Sequence, residues 1–317
     1  MSLNYLLFRI LGALPLLFGV SLILFAVLHL APGSPLDIYT DNPAVTPEAL
    51  ERIRVSLGLD QPLHIQYLAW IKSFAVGDWG YSIRTSRPAF QEALDRLPAT
   101  LMLSGSAFVI ALLIALPLGI VSAARRYSVL DHSATLFSFV GISMPVFWLA
   151  LMMQLLFAVQ LHWLPSAGVT TIGDGSALDR LRHLLLPATV LSLAFIAGWS
   201  RYIRASMIEV LSLDYVRTAR SKGLSERLVT YRHALKNALI PVVTVIALDL
   251  ASLFSGAVIT ETVFAWPGLG RLFIESMNGR DYPVLLGLLM FGSFMLIFVN
   301  LLTDLLYAVL DPRVRYD

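Results

Sequence analysis

Six long apolar segments dominate this sequence and restrict its fold more than any other feature. Each is long enough to cross a bilayer, because about 20 helical residues span a hydrocarbon core about 30 Å thick. Charged residues make up only 14% of the 317 residues, against about 25% in soluble domains. The sequence therefore predicts an all-α polytopic membrane protein with six transmembrane helices. The six segments are Ile10–Leu30, Ala99–Ala123, Ala134–Gln160, His183–Trp199, Ala238–Val263 and Val284–Leu310.

The stretch between the first two spans, residues 32–97, has helical patterning of its own. Thr46 suits an N-cap position and Gly58 suits a helix stop. The stretch DQPLHIQYLAWIKSF that follows is again amphipathic. We expect a small helical domain that either covers the mouths of the spans or lies at the membrane interface. The chain then divides into residues 1–31 with span one, residues 32–97 as the small domain, and residues 98–317 as a five-span core.

The distribution of basic residues predicts the orientation of the chain. Short loops rich in Lys and Arg stay in the cytoplasm, and two such loops agree here: the one with Arg125 and Arg126, and the one after Trp199. Both termini are then cytoplasmic and residues 32–97 lie outside. The first apolar segment is longer than the core of a signal peptide and no clean cleavage site follows it, so we expect a retained span. The net charge of +2 is too small to indicate a nucleic-acid partner.

The cytoplasmic loop of about residues 201–237 carries eight Lys and Arg residues. A helix is predicted over DYVRTARSK, with Gly223 as the left-handed residue that ends it and Ser225 as the N-cap of the next helix. The charges by themselves are typical of ordinary orientation signals. The length of the loop and an apolar stripe on its second helix favour an element that docks into a cleft of another protein, over a helix lying on lipid. The stripe has helical spacing and comprises Leu224, Leu228, Tyr231 and Leu235.

The loop sequence RTARSKGLSERLVTYRHALKNALIPVV resembles the coupling loop of ABC-importer permeases, in the branch that imports dipeptides, oligopeptides, nickel and glutathione. The resemblance covers nearly the whole chain, because LAPGSP, LGLDQPLHIQYLAWI, VGDWGYS, LPATLMLS, ISMPVFWLA and ETVFAWPGLGRL follow in the order of that branch. Two positions depart from the general permease pattern. Arg217, Thr218 and Ala219 replace Glu-Ala-Ala before the glycine, and Leu235 with Lys236 replaces Leu-Pro after it. Both variations are similar to the peptide and nickel branch.

The resemblance implies several partners for the chain, which would sit among lipids of the cell inner membrane. They are two ABC ATPase subunits, a second six-span permease in a heterodimer, and an extracytoplasmic substrate-binding protein. None of the three lysines follows a glycine, so the GxxxxGK[ST] phosphate loop is absent, and ATP and Mg²⁺ belong to the ATPase subunits. Arg217 and Arg220 would pair with ATPase carboxylates, and Leu224 and Leu228 would be buried anchors. The implied ATPase-coupling residues are Arg217, Thr218, Ala219, Arg220, Lys222, Gly223, Leu224, Leu228 and Tyr231.

Two carboxylates lie inside predicted spans, Asp249 in span five and Asp304 in span six. Each costs about 2.5–3.5 kcal/mol at the centre of a membrane helix and therefore needs a reason. Asp249 either lines the translocation path, together with Ser252 and Ser255, or forms a hydrogen bond that holds neighbouring spans together. An ion-coupled secondary transporter would use both carboxylates, but we find no convincing internal repeat of the kind such transporters contain.

Other functions are disfavoured by the motifs. The six histidines give no HExxH spacing for a metalloprotease, and Ser143 in GISMP lacks the second glycine of a nucleophile elbow. We therefore expect neither catalysis nor a metal site in this chain. The cargo inferred from the resemblance is di- and oligopeptides, with nickel and glutathione as alternatives. The turn in FAWPGLG is either a covered cap near the path or an ordinary tight turn.

Overall fold

The computed structural model describes the backbone of residues 3–30, 36, 46–56, 58–255 and 257–310, and the side chains of residues 11–30, 36, 46–56, 58–250 and 257–303. In chain order the helices are α1 (Leu3–Leu30), α2 (Pro47–Ser56), α3 (Leu63–Ala75), α4 (Ala89–Ala124), α5 (Val129–Ser143), α6 (Val146–Met153), α7 (Ala177–Leu211), α8 (Asp214–Ser221), α9 (Glu226–Leu228), α10 (Leu235–Ser255), α11 (Val258–Val263), α12 (Leu269–Asn278) and α13 (Tyr282–Leu310). Two π-helical segments follow α6 and α9, Gln154–Gln160 and Val229–Ala234.

Among the residues that the structure describes, five helices are long and apolar enough to cross a membrane, and the number rises to six if one bent helix pair counts as a single span. The first, second, fourth and sixth predicted spans lie within α1, α4, α7 and α13. The all-α membrane architecture is therefore confirmed. The two other predicted spans differ from the structure in ways that have local causes.

The third predicted span is broken rather than straight. Helix α5 ends at Ser143, and the next helical segment turns by 104° relative to it. Met144 has φ −80° and ψ 126°, which is extended backbone, and Pro145 follows it. A proline disfavours the α conformation of the residue before it, so the bend occurs where the sequence SMP places it.

The fifth predicted span, Ala238–Val263, is wrong as one continuous helix. Helix α10 ends at Ser255 and the short helix α11 forms a separate element. Ala257 precedes α11 with φ −89° and ψ 70°, outside the helical region. The backbone N–H of Ala257 points at the carboxyl group of Glu261, 3.4 Å away. The buried carboxyl group of Glu261 thus contacts the backbone where the helix is interrupted. A search for apolar runs in the sequence does not detect such a contact.

The small domain contains the two predicted helices. Thr46 caps α2 by accepting a hydrogen bond from Ala49 N–H at 3.3 Å, and Gly58 beyond its end has φ +68°. Helix α3 packs along α1, where the Tyr67 and Ser21 hydroxyls lie 2.8 Å apart and the Tyr67 ring stands edge-on to Phe25. This packing favours the alternative in which the small domain covers the spans, because α3 contacts α1 directly. The sequence also places Leu50, Ile53 and Leu57 at helical spacing, and Leu57 lies outside the described residues.

The main hydrophobic core joins α4, α7 and α10. Small residues of α4, including Ala111 and Ala115, allow close approach of the large side chains of α7, of which Trp199 and Met207 are almost completely buried. Ala238 of α10 closes this cluster, and its carbonyl accepts a hydrogen bond from Ser206 Oγ at 2.7 Å. These contacts make the cytoplasmic-loop end of α10 part of one packed unit with α7.

A second close approach gives a testable prediction about stability. Gly287 of α13 faces the Trp79 ring, and a Cβ at that position would lie 2.3 Å from Trp79 Cε3. We expect Gly287→Ala to lower the melting temperature of the detergent-solubilised chain, because overpacking typically costs about 1–3 kcal/mol. Gly105→Ala is the matched control, since a Cβ there has nothing within 4 Å. Equal melting temperatures for the two variants would contradict the close packing of Trp79 on α13.

Candidate functional site

The loop between α7 and α10 contains a helix, a glycine turn and a second helix, as the sequence predicts. Helix α8 is followed by Gly223, whose φ is +76° and whose N–H donates to the carbonyl of Arg220 at 2.9 Å. Glycine adopts this left-handed conformation without steric cost, which explains its position at the turn. Ser225 occupies the N-cap position of α9, although its side chain makes no capping hydrogen bond.

The interior of the loop is a small apolar cluster of its own. Val216 and Ala219 of α8 and Val229 of the π-helical segment are buried, and Leu224 packs against them. The expectation that Leu224 is buried in a partner stays a prediction, although the side chain is partly buried within its own loop. Its side chain is used to hold the two helices of the loop together, because the sharp turn brings α8 against Val229.

The structure does not form the continuous α-helical stripe predicted for Leu224, Leu228, Tyr231 and Leu235. Residues Val229–Ala234 are π-helical, and the wider turn shifts the angular position of each later side chain, so the α-helical spacing no longer applies. The buried face consists of Val229, Thr230 and Ala234. Leu228 and Tyr231 remain 37% and 55% exposed. Leu228 and Tyr231, which we call the apolar pair, thus keep surface that the described residues do not cover.

The charges of the loop are partly paired within it. The Arg220 guanidinium spans the glycine turn and donates to both Glu226 oxygens, from Nε at 2.8 Å and from Nη2 at 3.3 Å. Arg217 Nη1 lies 3.7 Å from Asp214. Arg220 therefore braces the turn, and its pairing with an ATPase carboxylate stays a prediction. Thr218, whose hydroxyl bonds the Asp214 carbonyl, and Lys222 are both exposed.

The loop is tied firmly to the span that follows it. Tyr215 Oη of α8 accepts a hydrogen bond from Asn237 Nδ2 of α10 at 2.7 Å and donates to the His233 carbonyl at 3.4 Å. The segments α9, Val229–Ala234 and α10 also follow one another without a break. Leu228 and Tyr231 are therefore connected to α10 by continuous helical backbone.

The candidate path residues are only partly described. Asp249 accepts a hydrogen bond from Trp199 Nε1 of α7 at 2.6 Å, so it joins α10 to α7 across the main core. The side chains of Ser252, Ser255 and Asp304 lie outside the described residues. The contact with Trp199 matches the helix-joining alternative for Asp249, and a place for it along the path stays a prediction.

Variants of Asp249 distinguish the two roles. Asp249→Asn keeps an oxygen that accepts from Trp199 Nε1, so we expect normal assembly and melting temperature. Asp249→Leu removes this acceptor and leaves a buried N–H without it, at a cost of about 1–3 kcal/mol. We expect a lower melting temperature, measured by fluorescence-detected size-exclusion chromatography after heating. Impaired transport by Asp249→Asn in a normally assembled complex would instead place this carboxylate on the path.

Two of the buried carboxyl groups that the sequence analysis did not single out join several helices. Asp131 at the start of α5 bonds Arg204 of α7 through two contacts, at 2.5 and 2.8 Å, and also the Ser122 hydroxyl of α4. This network joins three helices at the end of the bundle that carries the loop. The signal for it was the serine at position 128 followed by an acidic residue three positions later, which reads as a helix start.

Glu261 is the second missed group and lies at the other end of the bundle. It is fully buried, and its carboxyl oxygens accept hydrogen bonds from Thr100 Oγ1 at 2.8 Å and from Arg271 N–H at 3.0 Å. Thr100 Oγ1 in turn accepts from Leu269 N–H at 2.7 Å. The FAWPGLG segment thus packs around the carboxyl group of Glu261, and we call this hydrogen-bonded arrangement, which is not a topological knot, the knot around Glu261. The available signal in the sequence for this buried carboxyl group was an acidic residue between two apolar runs.

These features define a class of protein: a helical membrane subunit that presents an apolar pair on a braced helix–glycine–helix loop and holds no phosphate loop of its own. Residues 115–316 match the family described as the inner membrane component of binding-protein-dependent transport systems. Residues 2–104 match the N-terminal part of such membrane components. The chain belongs to this family of ABC-importer permease subunits and is a non-catalytic membrane component.

Similar proteins cover almost the entire chain. It is 40% identical to the oligopeptide transport system permease protein AppB of Bacillus subtilis, over 98% of this chain and 99% of that protein. It is 39% identical to the dipeptide transport system permease protein DppB of Escherichia coli K12, over 99% of both chains. It is 41% identical to the di/tripeptide transport system permease protein DppB of Pseudomonas aeruginosa, over 98% of both.

The fold is also found in a solved structure. The chain is similar to a chain of the MetNI methionine ABC transporter in an inward-facing conformation, with a TM-score of 0.57 and 15% identity. The match covers 69% of this chain and 96% of that one. Membership of the family implies ATPase and substrate-binding partners in general.

Proposed function

We propose that this chain forms half of the translocation path of an ATP-driven importer of di- and oligopeptides. The relatives named above are oligopeptide, dipeptide and di/tripeptide permeases, and they match this chain over nearly their whole length. This agreement among the relatives favours peptides over nickel or glutathione as cargo. In this proposal the chain pairs with a second six-span permease in a heterodimer and sits in the cell inner membrane.

The observation that carries the coupling proposal is the exposed pair Leu228 and Tyr231. Apolar side chains on a helix that is fixed to its own chain on the opposite face fit a hydrophobic groove in another protein. The groove belongs to one of two ATPase subunits, which supply ATP and Mg²⁺. When the ATPase dimer closes, it moves the loop, and the unbroken path into α10 carries that movement to the spans.

The distribution of charges supports the proposed orientation. Arg125 and Arg126 follow α4 and the basic loop follows α7, and the Asp131–Arg204 ion pair shows that these two ends meet. Basic residues gathered at one end of a bundle are typical of the cytoplasmic side. Both termini are then cytoplasmic, and the knot around Glu261 faces the extracytoplasmic side, where the binding protein delivers cargo.

Purification of the assembled complex tests the proposal. The tagged chain, isolated in mild detergent, is expected to retain a second six-span permease and ATPases with phosphate loops, identified by mass spectrometry. In liposomes, that complex with its binding protein is expected to take up labelled dipeptides only with ATP. Competition by unlabelled peptides, and none by nickel or glutathione, is expected. A chain that purifies alone and moves solute without ATP would refute the importer and favour ion coupling by the span carboxylates.

A further inference from the structure

The bend between α5 and α6 leaves backbone polar groups without their helical partners. Met144 has φ −80° and ψ 126°, and Pro145 has φ −60° and ψ 131°, so two extended residues in succession separate the helices. In a continuous helix, the carbonyl groups of residues 141–143 would accept from the N–H groups of residues 145–147. Residue 145 is a proline without an N–H, and the other two donors lie beyond the extended pair. Three carbonyl groups at the end of α5 therefore lack their helical donors, and we call residues 143–145 the break.

No other segment satisfies these carbonyl groups within the part of the chain that the structure describes. The last hydrogen bond of α5 runs from the Met144 N–H to the Val140 carbonyl at 3.1 Å. The Ser143 hydroxyl makes no hydrogen bond to a described residue either. Ser138 of the same helix differs, because its hydroxyl donates to the carbonyl four positions earlier at 2.8 Å. The break thus presents several polar groups that still need a partner.

The break also lies on a surface that the described residues leave open. Ser143 and Pro145 are exposed, and Phe147 in the first turn of α6 is 51% exposed. The face of α5 that packs against α7 is a different one, where the hydroxyl oxygens of Ser138 and Ser200 lie 3.1 Å apart. The polar groups of the break therefore face something other than the described part of this chain.

The depth of the break follows from its position beside α7. A Cβ at Gly141, just before the break, would lie 3.1 Å from the Cβ of Ala197. Ala197 is 20 residues from the first residue of α7 and 14 from the last, or about 30 Å and about 21 Å along the helix. Because the hydrocarbon core is itself only about 30 Å thick, the break lies well inside the membrane and not at either surface.

Lipid is a poor neighbour for such a segment. A backbone group that loses its hydrogen bond in hydrocarbon costs several kcal/mol. Non-helical backbone occurs at this depth only where protein covers it or where it lines a water-filled cavity. A dry contact with another protein would need a matching donor for each carbonyl group, whereas water supplies donors wherever they are needed. Water is therefore the neighbour that these groups favour.

We infer that the break between α5 and α6 forms part of the wall of the water-filled translocation path. Its carbonyl groups and the Ser143 hydroxyl accept hydrogen bonds from water and from the backbone N–H groups of a passing peptide. Every peptide carries such N–H groups whatever its side chains, so this part of the wall does not select among peptides. The inference rests on the proposed function, which supplies the path and its peptide cargo.

The reactivity of a single thiol tests this inference. The chain has no cysteine, so Ser143→Cys introduces its only thiol with the change of a single atom. The complete complex in lipid nanodiscs is treated with a trimethylammonium methanethiosulfonate reagent, and intact mass spectrometry follows the modified fraction of this chain. A thiol reacts as its thiolate, which needs contact with water. We expect Ser143→Cys to react within about tenfold of the rate of a fully water-exposed thiol.

Two variants provide the matched controls. Val129→Cys is the water-exposed reference, because Val129 is 82% exposed at the start of α5. Ile23→Cys is the lipid reference, because Ile23 is 62% exposed in the middle of the first span, on an unbroken helix. We expect Ile23→Cys to react at least about a hundredfold more slowly than Val129→Cys, since a thiol in hydrocarbon stays protonated.

Transport by the modified complex shows whether the water at the break belongs to the path. Before modification, Ser143→Cys is expected to take up labelled dipeptide in liposomes as the wild type does. Modification is expected to lower uptake at least about tenfold, because it adds a bulky fixed charge to the wall of the path. Dithiothreitol cleaves the mixed disulfide and is expected to restore uptake.

Three other outcomes have distinct meanings. Reaction of Ser143→Cys in the complex at the slow rate of Ile23→Cys overturns the inference, and fast reaction in the isolated solubilised chain would then show that the second permease covers the break. Fast modification that leaves uptake unchanged also overturns it, because the break then faces water outside the path. If the wild-type complex takes up no peptide while Ser143→Cys still reacts fast, the importer proposal fails and the water-lined break stands.

Discussion

Leu228→Asp is expected to reduce ATP-driven uptake by about a hundredfold or more while the chain still inserts and folds. Leu228 is 37% exposed and is separate from the buried face of its helix, so the change leaves the internal packing of the loop intact. In the proposed ATPase groove, the same aspartate would be buried without a partner. Burying an unpaired charge costs several kcal/mol, and each 1.4 kcal/mol is a factor of ten in binding. Co-purification of the ATPases, followed by uptake in liposomes, measures the effect.

Val129→Asp is the matched control for this prediction. Val129 is 82% exposed at the start of α5, at the same end of the bundle but in a different loop. An aspartate in the first turn of a helix is well tolerated, so we expect ATPase recovery close to wild type. Full recovery of ATPases with Leu228→Asp, or equal losses in both variants, would show that Leu228 does not anchor a partner.

The second large effect concerns the knot around the buried carboxyl group. Glu261→Ala is expected to abolish the yield of folded chain or lower its melting temperature severely. The change leaves Thr100 Oγ1 and the Arg271 N–H without the acceptor they now bond, in a fully buried position. Each lost acceptor costs about 1–3 kcal/mol, and the cavity left by the side chain adds to this. Thermal melting of the detergent-solubilised chain, followed by intrinsic tryptophan fluorescence, measures the loss of stability.

Two comparisons separate this effect from general sensitivity to substitution. Glu261→Gln keeps the shape and one acceptor oxygen, and we expect an intermediate loss. Glu209→Ala removes an exposed glutamate on α7 and is expected to change stability by less than about 0.5 kcal/mol. A melting temperature of Glu261→Ala within that range would mean that the knot does not depend on its carboxyl group.

The coupling loop shows how far local patterning extends. The helix over α8, the turn at Gly223 and the restart at Ser225 were predicted correctly, because each depends on residues within a few positions along the chain. The π-helical segment was not predicted, since its wider turn is stabilised by packing against α8 and α7. As a result, the apolar stripe was assigned to the wrong residues. Only Leu228 and Tyr231 of that stripe are exposed for a partner.

The buried carboxyl groups illustrate the opposite case. The sequence marks Asp249 as costly in a membrane helix, yet its Trp199 partner is fifty positions away along the chain. Glu261 and Thr100 are separated by 161 positions. No periodicity connects such pairs. The first contact exists because α10 packs against α7, and the second because α11 and α12 pack against the beginning of α4.

The sequence alone determined that this protein spans a membrane, where four of its six predicted spans lie, and which family it resembles. These conclusions follow from hydrophobic runs, caps and turns, whose energetics are local, and from residues in a recognisable order. Tertiary structure alone decided that Asp249 accepts a hydrogen bond from Trp199, that Glu261 accepts one from Thr100 and that Asp131 pairs with Arg204. Such pairings depend on which helix faces pack together, and that choice belongs to the folded chain as a whole.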